Sequence, residues 1–158
     1  MERSHGNRRS RVEATLGEHL RRRGLRWSST RDTVVDAFLA APHHLSVDEL
    51  LARVRRSEPG VGHATVYRTL RLLEETGLAT AHQFGDGPTR YEPSAGTRHH
   101  DHLVCTGCGV IVEFEEPEIE RLQDEVARHR GFVTESHRLE LYGRCPGCRD
   151  RVAVGGRS

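Results

Sequence analysis

The spacing of hydrophobic residues changes near residue 78. Before that point apolar side chains recur every three or four positions, which predicts helices. We expect a first helix over residues 12–23, a second capped by Thr30 and ending before Pro42, a third opened by Ser46, and a fourth over residues 63–76. The apolar positions of these helices are, in chain order, Val12, Leu16 and Leu20; Val34, Val35, Phe38 and Leu39; Leu50, Leu51 and Val54; and Val66, Leu70 and Leu73.

Beyond residue 78 the pattern becomes that of strands. Apolar and polar residues alternate loosely over residues 78–84, and residues 85–88 read Gly-Asp-Gly-Pro, which is typical of a turn. Residues 90–92 would then form the returning strand, so this segment predicts a β-hairpin. Several short helices followed by a hairpin are typical of a winged helix-turn-helix. The small polar stretch at residues 94–97 is the best candidate linker.

The second half is predicted to be mixed. Residues 103–105 and 110–114 are short, β-rich runs on either side of a cysteine turn. Pro117 stands at the favoured first position of a helix that ends at Gly131. Residues 132–142 read as one or two further strands. The whole chain is therefore predicted to belong to the α+β class.

Charge is distributed unevenly, although the 158-residue chain has a net charge of only +1. Residues 1–31 hold nine Arg and three Glu, whereas residues 88–158 hold ten Arg and twelve acidic residues. A basic N-terminal region suggests that nucleic acid binds at that end. No apolar run reaches 18 residues and no signal-like segment follows Met1, so we expect neither a membrane span nor a secreted protein. Four Cys in such a composition suggest the reducing cytoplasm.

The four cysteines form two C-x-x-C pairs, Cys105 with Cys108 and Cys145 with Cys148. Each pair can direct two thiolates at one ion, and two pairs complete the tetrahedral sulfur shell that suits Zn²⁺. A shell of four protein ligands leaves no open position, so the predicted role is structural.

Two enzyme classes compete with this interpretation. The pair at Cys145 alone resembles a redox dithiol, but such a motif normally opens a helix in a thioredoxin-like context. A zinc deaminase would need His-x-Glu before its cysteines, and that motif does not occur in the sequence. The interpretation as a zinc-dependent redox or metalloenzyme is therefore only a distant alternative.

Residues 99–102 read His-His-Asp-His directly before the first cysteine pair. In an extended segment His100 and His102 point to one face, while His99 and Asp101 point to the other. One strand could thus serve two metal sites with nitrogen and oxygen ligands, suited to Fe(II), Mn(II), Ni(II) or Zn(II). Spacing alone does not choose the remaining ligands, for which the candidates are His43, His44, Glu92, Glu113, Glu120 and His137.

These motifs together resemble the ferric uptake regulator (Fur) family from about Leu16 to Cys148. The resemblance rests on Gly62–Leu70 (GHATVYRTL), on His99–Gly109 (HHDHLVCTGCG), on Glu113-Phe114, and on His137 followed by Leu141–Cys145 (LYGRC). It implies a winged-helix DNA-binding domain and an α/β dimerisation domain with a four-cysteine zinc site. The resulting division is residues 1–11 as a disordered basic arm, 12–93 as the DNA-binding domain, 94–98 as the hinge, 99–150 as the dimerisation and metal-binding domain, and 151–158 as a frayed tail.

The resemblance also implies roles for individual residues. A regulatory metal site matches His44, Glu92, His100, His102 and Glu113. A second metal site matches His99, Asp101, Glu120 and His137. The structural zinc matches Cys105, Cys108, Cys145 and Cys148. Family positions that contact DNA match Tyr67 and Arg68 in the recognition helix, and Arg26 matches a basic residue that reaches the minor groove.

The function implied is that of a homodimeric, metal-dependent repressor of metal-homeostasis genes that binds a palindromic DNA operator, and not that of an enzyme. Zinc-sensing relatives usually have Cys where Glu92 stands, and peroxide-sensing relatives commonly have Asp where Glu113 stands. Both comparisons favour regulation by Fe(II), with Mn(II) or Zn(II) as possible surrogates. A peroxide- or zinc-sensing member of the family is the alternative.

Overall fold

The computed structural model of the chain describes residues 2–41, 44–94 and 100–149. It divides into two compact units, which we call the N-terminal unit (Met1–Thr97) and the C-terminal unit (Arg98–Ser158). The elements of the N-terminal unit are α1 (Glu2–Arg22), α2 (Ser29–Leu39), β1 (Leu45–Ser46), α3 (Val47–Val54), α4 (His63–Glu75), β2 (Ala79–His82) and β3 (Arg90–Pro93). Those of the C-terminal unit are β4 (Asp101–Cys105), β5 (Ile111–Phe114), α5 (Pro117–His129) and β6 (Glu140–Gly143).

The four helices of the N-terminal unit bury the apolar positions that the sequence pattern predicted. One cluster contains Val12, Leu16 and Leu20 of α1 with the predicted apolar residues of α2, α3 and α4. Phe38 and Leu70 are completely buried within it. Ser46 and Glu49 form the predicted capping box, in which the Ser46 hydroxyl accepts from the N–H of Glu49 and the Glu49 carboxylate accepts from the N–H of Ser46.

Two details of the helices differ from the sequence-based expectation. The N-cap of α2 is Ser28 and not Thr30, since the Ser28 side chain accepts from the N–H of Arg31. In addition, α1 begins at Glu2, so residues 2–11, which we predicted to be a disordered arm, are helical.

Arg9 gives a physical reason for the longer first helix. Its guanidinium pairs with Glu13 at 2.9 Å and with Asp32 and Asp36 of α2. It also lies 5.9 Å from the centre of the Trp27 ring, a distance at which cation–π attraction operates. Most of these partners are far from Arg9 in sequence, so local composition did not reveal them. The hydrogen bond from Arg9 lowers the pKa of the Asp32 carboxyl.

The predicted hairpin is present as the wing of the N-terminal unit. Strands β2 and β3 pair antiparallel, with Ala81 opposite Tyr91 and His82 opposite Arg90. A two-residue strand, β1, adds to the other edge of β3, with Leu45 opposite Tyr91. The sequence did not predict β1, because two residues carry no periodicity.

The C-terminal unit is a three-stranded sheet in the order β5-β4-β6, together with α5. Strand β5 pairs antiparallel with β4, and β6 pairs parallel with β4. Helix α5 begins at Pro117, as predicted, and Glu116 caps it.

The predicted hinge 94–98 lies outside the described residues except for Ser94, and the predicted tail 151–158 lies entirely outside them. Within the described ranges, no helix is long and apolar enough to cross a membrane.

Candidate metal centres and nucleic-acid interface

The four cysteines meet because two parallel neighbouring strands end at the same edge of the sheet. Cys105 is the last residue of β4, and its register partner in β6 is Gly143. The chain therefore turns beyond Cys105 and beyond Gly143 side by side, which brings the two C-x-x-C pairs together. The four Sγ atoms lie within 4.8 Å of one another, and we call this set the zinc cluster.

The spacing and the polar surroundings of the sulfurs suit a tetrahedral ion. Cys108 Sγ and Cys145 Sγ are 3.7 Å apart. Bonds of about 2.3 Å in a regular tetrahedron require sulfurs about 3.8 Å apart. Cys105 Sγ accepts from the backbone N–H of Cys145 at 3.3 Å and of Gly107 at 3.4 Å. Such donors favour thiolate over thiol.

The thiols of the zinc cluster differ in acidity. The amide of Cys145, with those of neighbouring residues, lowers the pKa of the Cys105 thiol to about 5. The hydrogen bond with Cys108 and the proximity of the other sulfurs raise the pKa of Cys148 to about 12. Four thiolates this close repel one another, so full ionisation requires a cation among them.

Gly107 provides an independent test of the fit. A Cβ atom at this position would stand 3.0 Å from both Cβ and Sγ of Cys148 and 3.7 Å from Cys105 Sγ. The backbone of the first turn therefore packs directly on the sulfur shell, with no room for a side chain. Spacing, donors and packing all fit a structural zinc, in agreement with the sequence prediction.

A second group of ligand types lies at the other end of β4, around Asp101. His137 Nε2 is 3.6 Å from Asp101 Oδ1 and 3.3 Å from Glu120 Oε1 of α5. We call these three residues the acidic set; their ligand atoms lie within 4.8 Å of one another, and the Asp101 side chain is buried. Nitrogen and oxygen donors in this number can bind a divalent ion. His99, which the resemblance added to this set, lies outside the described residues.

His100 and His102 stand on the opposite face to Asp101. Their rings are 4.9 Å apart in an edge-to-face arrangement, and His102 is buried. Glu113 of β5 is the register partner of His102. We call His100, His102 and Glu113 the histidine set. All three belong to the C-terminal unit: His102 lies in β4, His100 directly precedes it, and Glu113 lies in the adjacent β5.

The other two residues of the predicted regulatory site, His44 and Glu92, belong to the N-terminal unit, and we call them the wing pair. His44 directly precedes β1, and continuing the β1–β3 register by one residue sets it against Glu92. His44 Nε2 lies 3.5 Å from Glu92 Oε2, and both residues are buried. His43, the other candidate in this segment, lies outside the described residues.

The structure adds one residue to this neighbourhood that the sequence analysis missed. His82 of β2 has its Nε2 atom 2.8 Å from Glu92 Oε1. The sequence offered no metal-ligand spacing between residues 82 and 92. Only the register of the predicted hairpin could have indicated that they lie close together.

The exposed face of α4 carries the predicted recognition residues. Val66, Leu70 and Leu73 are buried, whereas Tyr67 is 46% exposed and Arg68 is exposed. Tyr67 and Arg68 therefore extend outward from a helix held by its opposite face. A tyrosine ring can contact thymine methyl groups or sugars, and an arginine can bind phosphate or a guanine edge.

Arg26 is exposed in the segment between α1 and α2. Two hydrogen bonds restrain this short segment: the Arg31 guanidinium donates to the Arg26 carbonyl, and Trp27 Nε1 donates to Asp32 at 3.0 Å. Arg26 thus extends from a restrained backbone, which lowers the entropic cost of a phosphate or groove contact.

Comparison with known proteins identifies the family. A sequence model described as the ferric uptake regulator family matches residues 22–142. The chain belongs to this family. A Fur-family winged helix and a zinc cluster of four cysteines were both predicted from the sequence, and both predictions are confirmed. The family consists of transcription regulators, so the prediction that the chain is not an enzyme is also confirmed.

Individual Fur relatives cover most of the chain. The "Ferric uptake regulation protein" of Campylobacter jejuni is 40% identical over 136 residues, which are 85% of this chain and 86% of the relative. The structure of the Helicobacter pylori ferric uptake regulator matches with a TM-score of 0.80 at 31% identity, over 89% of this chain and 93% of that one. A zinc-bound manganese uptake regulator matches with a TM-score of 0.69 at 40% identity, over 83% and 98%.

Proposed function

We propose that this Fur-family protein is a metal-dependent repressor of metal-homeostasis genes, which responds to Fe(II) and binds a palindromic operator as a homodimer in the cytoplasm. The observation that carries the proposal is the wing pair. Two buried side chains of metal-ligand type, His44 and Glu92, belong to the N-terminal unit, which also carries the exposed Tyr67 and Arg68 of α4. A metal ion bound there can therefore act on the part of the protein that binds DNA.

The regulatory site is proposed to consist of the wing pair together with the histidine set. His44 and Glu92 would bind the ion from the N-terminal unit, and His100, His102 and Glu113 would bind it from the C-terminal unit. An ion held by both units restricts their relative arrangement. It promotes DNA binding only if it binds the DNA-competent arrangement more tightly than the others. A coupling of about 1–3 kcal/mol corresponds to roughly 5- to 150-fold tighter operator binding.

Ligand chemistry supports a metal of intermediate hardness at this site. All four cysteines are in the zinc cluster, so the wing pair and the histidine set offer only imidazole and carboxylate. Such donors suit Fe(II) and Mn(II), although Zn(II) also accepts them. The acidic set would be a further site. The Helicobacter pylori relative has three functional metal-binding sites, and the zinc cluster, the acidic set and the proposed regulatory site would give this chain the same number.

Exposed apolar side chains on the C-terminal unit support a homodimer. Among its described residues, α5 buries no side chain, although Leu122 and Val126 line one face and are 47% and 52% exposed. Leu103, Val112 and Leu141 of the sheet are also exposed. Exposed apolar surface on this scale is typical of an association surface. A two-fold dimer would present two copies of α4 to a two-fold symmetric operator.

One other metal, Mn(II), follows from a specific observation. The zinc-bound manganese uptake regulator is as similar in sequence as the Campylobacter relative, at 40% identity, which favours Mn(II) as the second candidate. A Campylobacter jejuni peroxide stress regulator shares the fold at 24% identity, and that degree of similarity says nothing about the signal.

The test is operator affinity measured by fluorescence anisotropy on zinc-replete protein. Fe(II), Mn(II) and Zn(II) are titrated separately and anaerobically against a Fur-type palindromic duplex at fixed salt. We expect Fe(II) to tighten binding at physiological free concentrations and Zn(II) to act only above its cellular free level. Tightening by Zn(II) at its much lower free level, or loss of binding when peroxide is added to the Fe(II) form, would move the assignment to a zinc or peroxide sensor.

Variants test the ligand assignment separately. His100→Ala should bind the operator equally weakly with and without Fe(II). His129→Ala is the matched control, because His129 is exposed on α5 and belongs to none of the ligand groups. If His100→Ala kept the full response of the parent, the proposed regulatory site would be wrong.

A further inference from the structure

We infer that His82 is a positioning residue for the regulatory metal: its imidazole orients the Glu92 carboxylate by a hydrogen bond within the wing. The inference rests on the proposed function, since it takes Glu92 to be a ligand of the regulatory ion. All the contacts that carry it lie within the N-terminal unit.

The hairpin register explains how His82 reaches Glu92. His82 is opposite Arg90, and Thr80 is opposite Glu92. His82 and Glu92 are therefore diagonal neighbours on one face of the hairpin, a separation that long side chains can bridge. Tyr91 lies between Arg90 and Glu92 and points to the other face, into the core.

The two carboxylate oxygens of Glu92 have different partners. Glu92 Oε1 lies 2.8 Å from His82 Nε2, and Oε2 lies 3.5 Å from His44 Nε2. An ionised carboxylate can only accept, so His82 Nε2–H is the donor. With Oε1 fixed by His82, Oε2 is directed towards His44, the other member of the wing pair.

Packing holds the His82 ring in the orientation that this bond requires. The ring stacks on Phe84 at a centroid distance of 5.5 Å, with only 6° between the planes. His44 meets the same Phe84 edge-on at 5.6 Å and meets His82 edge-on at 4.9 Å. Phe84 is buried, so it supports both imidazoles as one packed group.

A hydrogen bond that already restrains a ligand carboxylate increases metal affinity, because the carboxylate then loses less conformational freedom when the ion binds. Loss of such outer partners typically weakens metal binding about 10- to 100-fold. His82 also belongs to β2, so the same bond connects the regulatory ligand on β3 to a strand that carries no proposed ligand.

The experiment measures the Mn(II) concentration that half-saturates operator binding, with zinc-replete full-length protein and a Fur-type palindromic duplex. His82→Ala should raise that concentration about 10- to 100-fold, while the operator affinity at saturating Mn(II) stays within about twofold of the parent. His82→Gln should recover most of the loss, because its amide can donate to the carboxylate in place of the imidazole.

Thr80→Ala is the matched control for damage to the wing. Thr80 lies on the same face of β2 and bonds Ser94 Oγ at 2.8 Å. It should leave the half-saturating concentration unchanged. If His82→Gln behaves like His82→Ala, and both lower the melting temperature of the metal-free protein, the ring acts only through packing and the inference is overturned.

Glu92→Ala separates this inference from the proposed function. Loss of the Mn(II) response in Glu92→Ala with an unchanged response in His82→Ala would overturn the positioning role and leave the regulatory site standing. An unchanged response in Glu92→Ala would overturn the ligand assignment itself and, with it, the role given to His82.

Discussion

The two units of the chain are stabilised in different ways. The N-terminal unit has a packed apolar core to which all four helices contribute, including Leu16, Phe38, Leu50 and Leu70. Among the described residues of the C-terminal unit, the only buried apolar-type side chains are Cys105 and Cys148, with Asp101 and His102 as the buried polar ones. The first unit is held by the hydrophobic effect, whereas the second buries its metal ligands.

The folding stability of the two units should therefore depend on different factors. A domain with little buried apolar surface needs metal, disulfide or partner to fold stably. The four cysteines are free rather than bonded in disulfides. Zinc and a second copy of the chain are therefore expected to stabilise the C-terminal unit, while the N-terminal unit should fold without either. Four substitutions, in order of decreasing expected effect, test this difference, and two pH dependences accompany them.

Removal of zinc should have the largest effect. Cys108→Ser takes one ligand from the cluster, and the folding free energy supplied by a structural zinc is of the order of 10 kcal/mol. We expect loss of bound zinc and of the dimer, with the helical signal and cooperative melting of the N-terminal unit retained. Elemental analysis, sedimentation and circular dichroism measure the three quantities.

The affinity of the zinc cluster for zinc should also depend on pH. Because the pKa of Cys148 is raised to about 12, zinc binding must displace its proton at neutral pH, so zinc affinity should fall as the pH is lowered.

The Cys108→Ser experiment also has an outcome that would contradict the separate stabilisation of the two units: cooperative unfolding of both units together.

Phe38→Ala tests the other side of the contrast. Phe38 is fully buried in the N-terminal core, and its truncation should cost about 3–5 kcal/mol through lost burial and a cavity. We expect a lower denaturation midpoint for the N-terminal unit and unchanged zinc content. Denaturant titration followed by circular dichroism gives the free energy of unfolding. A variant that also lost zinc would show that the two units depend on each other.

Val126→Asp addresses the exposed face of α5. Burying a valine side chain in an interface stabilises it by about 1.5–3 kcal/mol, so each lost valine should weaken dimerisation at least about tenfold. Sedimentation equilibrium measures the dissociation constant. Asp124→Ala, at an exposed polar position of the same helix, is the control. An unchanged dimer would mean that this face of α5 is not the interface.

Ser46→Ala should have the smallest effect. It removes the hydroxyl that accepts from Glu49 N–H, at a cost of about 1 kcal/mol to the N-terminal unit. Ser57→Ala is the control at the other end of α3, where the hydroxyl only donates to the Val54 carbonyl. Equal losses in the two variants would show that capping is not the cause.

The capping box should also respond to acid. Burial opposes ionisation of Glu49, but bonds from Ser46 N–H and from Arg90 outweigh it and lower the pKa of the Glu49 carboxyl below its ordinary value. A depressed carboxyl pKa stabilises the folded state above the unfolded value, and this contribution disappears as the pH falls through the folded one. Thermal melts between about pH 6 and pH 3, compared with Glu49→Gln, measure it.

Local patterns were enough to predict much of this fold. The apolar spacing identified the four helices and their buried faces, and two C-x-x-C pairs identified the zinc cluster, because helix packing and metal geometry both leave short-range signatures in the sequence. The capping box at Ser46 and the helix start at Pro117 were visible for the same reason.

Features that depend on distant partners were missed. The early start of α1 depends on Arg9 contacting Asp32 and Asp36, and the hydrogen bond between Glu92 and His82 depends on the hairpin register that brings these residues together. Resemblance to the Fur family, rather than spacing, singled out His44 and Glu92 among the candidate ligands. The assignment of those ligands to one regulatory ion stays a prediction.

The parallel pairing of β4 with β6 has a consequence for the order of events during synthesis. Cys105 and Cys145 are forty residues apart, so the first cysteine pair is made well before the second. Contacts of high sequence separation form late, whereas the helices of the N-terminal unit pack on near neighbours and can fold as soon as β3 is complete. A nascent chain should therefore pass through a stage in which the N-terminal unit is folded and Cys105 and Cys108 form only half of a zinc shell.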